Sequence, residues 1–172
     1  MMKKLVLVFV LSASCGRSEE KIAPQQHLAV DYSREAREEM QNGLFSDLPN
    51  GLEDYDILGW QRSDLPQIAE YSLLRFPDAA DRDSVIDFTR RRGFRPANMD
   101  ELLAYSRENL RGNFQSPIFA VGTVWKNRTF YPYVPYVYRS SGGLGLGLWF
   151  AWDKLPSDAR FLSIKVSDNQ AN

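Results

Sequence analysis

The sequence predicts an α+β domain in which N-terminal helices precede a small antiparallel sheet. Three observations predict it. Capped, charged, helix-favouring stretches fill much of the chain up to Gly112. At Ser116 the composition turns apolar, β-branched and aromatic. From Leu144 to Trp152 large and small residues alternate with period two, the repeat of a strand. Helices gathered first and strands after argue α+β rather than a doubly wound parallel sheet.

The first residues read as an address. Met1-Met2-Lys3-Lys4 is a short basic start, Leu5 to Leu11 an unbroken apolar run, and Ser12-Ala13-Ser14 a small-residue site before Cys15. This is the layout of a secretory signal over 1–14, and the run is too short to span a bilayer. Cys15 is the only cysteine and stands where a bacterial lipoprotein carries its acyl chains, although Ser12 replaces the usual leucine. Acylated there, the mature protein would be held on a membrane without crossing it. Removing 1–14 removes Lys3 and Lys4 and no acid, leaving 19 bases against 22 acids, net −3. Residues 15–27 then read as the lipidated cysteine and a polar tether ending in the single histidine, His27.

Leu28 to Asn42 predicts a charged surface helix stopped by Gly43. Gly43 to Gly59 reads as loop, so 28–59 is a lead-in to a single domain over 60–167. Ser63, Asp64 and Pro66 suggest the start of a second helix that runs through Tyr71 and stops before Pro77. A third helix over Asp81 to Arg92 has early acids, late arginines and Gly93 beyond its end. Asn98 with Glu101 forms a capping arrangement for a fourth, whose apolar face is Leu102, Leu103, Tyr105 and Leu110. Strands follow over 117–125, 129–138, 144–152 and 160–166. Pro132 and Pro135 fit an edge or irregular strand. Residues 167–172 are expected to fray.

Composition removes several chemistries. One cysteine excludes a disulfide framework and a cysteine-based zinc site. A net charge of −1 gives no global pull toward nucleic acid, so no nucleic-acid partner is expected. Gly142 to Gly147 lacks the Gly-Lys-Ser/Thr that grips phosphate, and a strand pattern follows it. It reads as a turn running into a strand whose glycines admit a ring or a second backbone. No cofactor and no metal is therefore expected, and Asp47, Asp54 and Asp56 lack the EF-hand spacing. Glu53, Asp54 and Asp56 are the acids that an envelope hydrolase with paired carboxylates would draw on.

Two features suit binding. Arg90, Arg91, Arg92 and Arg95 form the one dense basic cluster, fit either to hold an anion or to match a helix dipole. Of 22 aromatic residues, 11 lie between Phe114 and Trp152. They read either as a small sheet's core or as rings that stack on a sugar or protein. The candidate contacts are Tyr131, Tyr133, Tyr136 and Tyr138 with Arg91, Arg92 and Arg95. Tyr131, Tyr133 and Tyr136 are interrupted by prolines and are expected to be the most exposed.

The segments Gly93-Phe94-Arg95-Pro96-Ala97 with Glu101-Leu102-Leu103, Pro117-Ile118 to Val124-Trp125, and Arg160 to Lys165 resemble small uncharacterised bacterial lipoprotein domains. They are more distantly similar to C-type-lectin-like domains, which share a Gly-aromatic-Arg opening before a Glu-Leu helix and a short closing strand. The resemblance implies a binding scaffold and assigns no site residue. The expectation is a membrane-anchored envelope lipoprotein with a non-enzymatic domain for a glycan or protein partner. A hydrolase and a purely structural lipoprotein are the alternatives.

Overall fold

The structure is a computed structural model that describes residues 26–32, 36–58, 67–76, 78–110 and 114–166. The signal, Cys15, most of the tether, Ser63 to Pro66 and the frayed C-terminus expected from sequence lie outside the described residues. The fold is α+β: among the described residues, nine strands in one mostly antiparallel sheet, with three short α-helices. Among the described residues no helix is long and apolar enough to cross a membrane.

The first element of the described residues is a strand, not a helix. Gln26–Val30 (β1) pairs antiparallel with Gln67–Arg75 (β3). Leu28 and Val30 are buried while His27 and Ala29 face out, which is the period of a half-covered strand. Among the described residues of 28–42, helix runs over Ala36–Glu39 (α1), which widens into a π-type turn, Met40–Leu44, broken at Gly43 with φ +79°. The predicted helix over 28–42 merged these pieces, because helix-favouring composition continues across both.

The predicted second helix is corrected in the same way. β3 lies between β1 and Arg160–Lys165 (β9). Tyr71 and Leu74 point to opposite faces, and both are buried. A strand covered on two faces shows no polar side, and a short apolar run of this kind reads equally as helix or strand. Its pairing partners, 37–45 residues back in β1 and 85–93 residues on in β9, settle the choice.

The other two helices form where predicted. Arg82–Arg91 (α2) has Asp81 as its N-cap, accepting from Ser84 N at 2.7 Å. Gly93 follows in the left-handed region at φ +74°. The Ser84 hydrogen bonds, aided by Lys154, hold the Asp81 carboxyl down to about 2. Met99–Asn109 (α3) carries a complete capping box between Asn98 and Glu101. Thr123 Oγ1 takes a further orphan donor, Met99 N, at 2.9 Å.

β9 is flanked by β3 on one side. On its other side lie Ile118–Phe119 (β5) at one end and Phe94–Pro96 (β4) at the other. β5 and Val124–Lys126 (β6) lie along one edge of Pro132–Ser140 (β7), and Gly143–Phe150 (β8) lies along the other. Asp56–Leu58 (β2) pairs with β6, so the lead-in joins the same sheet.

β7 is therefore an interior strand, and its prolines need a different account from the expected edge position. Pro135 O accepts from Ala120 N, so its missing N–H faces the 120–123 turn, where the β5–β6 edge breaks off. Pro132 opens the strand, and its O accepts from Ala151 N just past the end of β8. Both sit where no ladder donor is required.

The core is divided by the sheet. On the α3 face Leu28, Tyr71, Val137, Leu146, Leu162 and Ile164 pack with Met99, Leu102 and Leu103. On the α2 face Leu74, Phe119, Val134 and Phe161 pack with Val85 and Leu155. Gly122 is needed at the seam: a Cβ there would stand 2.6 Å from Ala97 O, while Gly122 N donates to that oxygen at 3.0 Å.

Candidate binding surface

The β7–β8 hairpin decides where the aromatics go. Side chains alternate along a strand, and residues opposite each other across an antiparallel pair share a face. Tyr133 stands opposite Phe150 on the α3 face, whereas Tyr136 and Tyr138 stand opposite Gly147 and Gly145 on the α2 face. The four candidate tyrosines thus serve two surfaces.

On the α2 face the tyrosines lie on glycine. A Cβ on Gly145 would be 2.5 Å from the Tyr138 ring, and one on Gly147 would clash slightly more closely with the edge of the Tyr136 ring. The glycine-rich stretch therefore admits rings. Tyr136 also stacks on Phe119 at 4.8 Å between centroids. Tyr138 Oη donates to Asp47 Oδ2 at 2.6 Å. That hydrogen bond, with some burial, pushes the Tyr138 phenol up to about 12. Ser46 N donates to Leu144 O and Leu146 N donates to Asp47 O, which closes the outer edge of β8.

At the opposite end of the hairpin the rings are open to solvent. Phe130 is 78%, Trp152 70% and Tyr131 49% exposed. Tyr131 lies 5.8 Å from Phe150 and 6.4 Å from Trp152, centroid to centroid. The row continues inward from Phe150 to Tyr133 at 5.7 Å and from Tyr133 to Tyr55 at 5.6 Å, edge on. Burial first, with Tyr133 and Asp54 nearby, raises the Tyr55 phenol.

The turn that carries this end is closed on itself by Asn127. Its Oδ1 accepts from Thr129 N, Thr129 Oγ1 and Tyr131 N at 3.1, 2.8 and 3.0 Å. Phe130 N donates to Asn127 O at 2.8 Å. Phe130 sits at φ +64° and is the one non-glycine residue with positive φ among those described. A bulky residue seldom adopts that backbone, and such outliers concentrate at functional sites.

Beside the turn lies a cleft of about 230 Å³ lined by Asn50, Asp54, Tyr55, Asn127, Arg128 and Thr129. Arg128 Nη2 stands 2.5 Å from Asp54 Oδ1. The cleft offers a carboxylate, a guanidinium, amides, a hydroxyl and a ring wall, the mixture that fixes a polar ligand and covers its apolar side. Asp54 is thus tied to Arg128, while Glu53 and Asp56 are exposed nearby.

The arginine cluster does not form one patch. Arg91 is exposed on α2, and the Arg92 guanidinium lies 3.5 Å from the Phe88 ring centroid. Arg95 forks onto Glu101, Nη1 to Oε2 at 2.9 Å and Nη2 to Oε1 at 2.5 Å. Glu101 is fully buried and also accepts from Tyr32 Oη at 2.8 Å and Asn98 N at 2.7 Å. Burial works against the Arg95 charge, but the Glu101 hydrogen bonds outweigh it and raise its pKa. Burial, then Glu101, raises the Tyr32 phenol far above its ordinary range.

Sequence reasoning placed Tyr131 and Tyr133 in this region and passed over Asn127, Arg128 and Tyr55 as turn or loop residues and Thr129 as the start of a strand. Asn127 was the available signal, since asparagine closes turns through its side chain. Comparison with known proteins finds no matching family model, no matching curated protein and no matching solved structure.

Proposed function

We propose that this chain is a lipid-anchored, non-enzymatic binding domain of the cell envelope. Cys15 carries the acyl anchor, and a glycan or protein partner seats in the cleft between the 50–55 and 127–131 turns. The observation that carries this reading is the open polar cleft, lined by Asp54, Asn127, Arg128 and Thr129 and walled by Tyr55. Rigid aromatic surface beside convergent polar groups is what recognition sites share.

The C-type-lectin-like likeness belongs to the same proposal. Its residues support it by standing together: β4, the Gly-Phe-Arg opening, pairs with the closing strand β9. Glu101 of the Glu-Leu helix grips Arg95 of the opening.

Two measurements test the reading. The intact mass of membrane-fraction protein should show diacyl or triacyl addition that Cys15→Ser abolishes; an unprocessed chain in the soluble fraction overturns the anchor. For the cleft, the full chain is titrated with purified cell-wall sacculi and with solubilised envelope proteins. Arg128→Ala should weaken one of these interactions about tenfold. It should leave stability nearly unchanged, because an exposed ion pair contributes at most about 1 kcal/mol. Equal binding by wild type and variant overturns the cleft as the contact.

A further inference from the structure

We infer that the aromatic tip is a second membrane contact: Phe130, Tyr131 and Trp152 seat in the headgroup–acyl boundary of the bilayer that holds Cys15. This rests on the anchor reading above and leaves the cleft to its partner.

The first argument is the state of the tip's backbone. A loop entering a water-poor layer must not carry unpaired N–H groups, each of which costs several kcal/mol there. Here Thr129 N, Phe130 N and Tyr131 N all donate to Asn127, and Asn127 N donates to Tyr131 O. On the neighbouring turn Ala151 N and Asp153 N donate to Pro132 O and Phe150 O. The turn has paired these N–H groups internally and turned its rings outward. That arrangement suits an apolar layer better than a partner read through backbone hydrogen bonds.

The second argument is residue type and charge. Tyrosine and tryptophan prefer the membrane–water interface, where the ring is apolar-solvated and the polar tip stays wet. The two bases flanking the tip each stand beside an acid, Arg128 by Asp54 and Lys154 by Asp81. Asp153, beside Trp152, is exposed and stays on the water side while the rings seat.

The third argument is reach. β9 runs from Arg160, beside Ile118, to Ile164, beside Tyr71 and through it Gln26. β7 runs from Tyr133 to Val137, which again stands beside Ile118. Gln26 and Tyr133 consequently lie toward the same end of the sheet. Four strand spacings of about 4.8 Å separate β1 from β7, roughly 19 Å. The ten residues 16–25 span up to about 33–36 Å when extended. The tether is long enough for Cys15 and the tip to meet one bilayer.

The test uses membrane-fraction protein reconstituted into vesicles of phosphatidylethanolamine and phosphatidylglycerol with brominated acyl chains. Trp152 emission is taken as the difference between wild type and Trp152→Phe. It should be lost to bromine quenching and shielded from aqueous acrylamide, and Phe130→Ser should restore part of it. Emission untouched by brominated lipid and open to acrylamide overturns the inference. So does shielding that appears only when cell-wall sacculi are added, which would assign the tip to a glycan. If the intact mass lacks acyl groups, the anchor reading has failed separately. The chain is then coupled through Cys15, its sole cysteine, to maleimide lipid in the same vesicles and read again; absence of quenching there overturns the tip as well.

Discussion

Arginine, a carboxylate and tyrosine meet twice in this molecule, with opposite results. At the start of α3, Arg95, Glu101 and Tyr32 form a node around a carboxylate with no solvent exposure. At the cleft, Arg128 is 81% exposed on its Asp54 partner, with Tyr55 as the wall. In the first place every oxygen of Glu101 is taken by protein donors, so the group serves the fold. In the second the same groups stay wet, so they remain open to exchange water for a ligand. Burial, not residue type, separates the two roles.

Three substitutions test that contrast. Glu101→Ala should be the most damaging, costing about 3 kcal/mol by urea denaturation. It leaves the Arg95 charge, the Tyr32 hydroxyl and Asn98 N without their shared partner; the loss falls at the low end of the range for buried pairs because Arg95 retains some water. A loss no larger than that of Arg128→Ala would erase the distinction. Gly147→Ala should come next, at about 1–3 kcal/mol, since its methyl clashes with the Tyr136 ring. A melting temperature equal to wild type would mean that the Tyr136–Phe119 stack is free to slide. Phe130→Gly should have the smallest effect and the opposite sign, stabilising by about 0.5–1 kcal/mol as the positive φ is relieved. It should at the same time remove tip contact with vesicles. If stability falls instead, the phenyl ring has a packing role that its 78% exposure does not suggest.

Legibility followed the range of the causes. Early acids, late arginines and Gly93 announced α2, and the Asn98–Glu101 cap announced α3, because each signal lies within or beside its own helix. The alternation over 144–150 announced β8, and its glycines announced close rings, because the thin face was already visible in the sequence. By contrast 28–30 and 67–75 read as helix, and Gln26 and His27 as the end of the tether. Their strand state comes from ladders to each other and to β9. The tyrosine run 131–138 read as one aromatic surface, yet the pleat sends Tyr133 to one face and Tyr136 and Tyr138 to the other. Arg95 read with its arginine neighbours until the fold delivered Tyr32 to the same carboxylate from 69 positions away.

The sequence by itself determined the α+β class, two capped helices, the glycine-paved hairpin and the expectation of an acylated Cys15, because each rests on neighbours along the chain. Only the tertiary structure decided which apolar runs became strands, which arginine was consumed by the core, and which aromatics stayed in water. Those outcomes depend on partners brought together across the sheet, and a buried group's partners are set by three-dimensional packing rather than by sequence proximity.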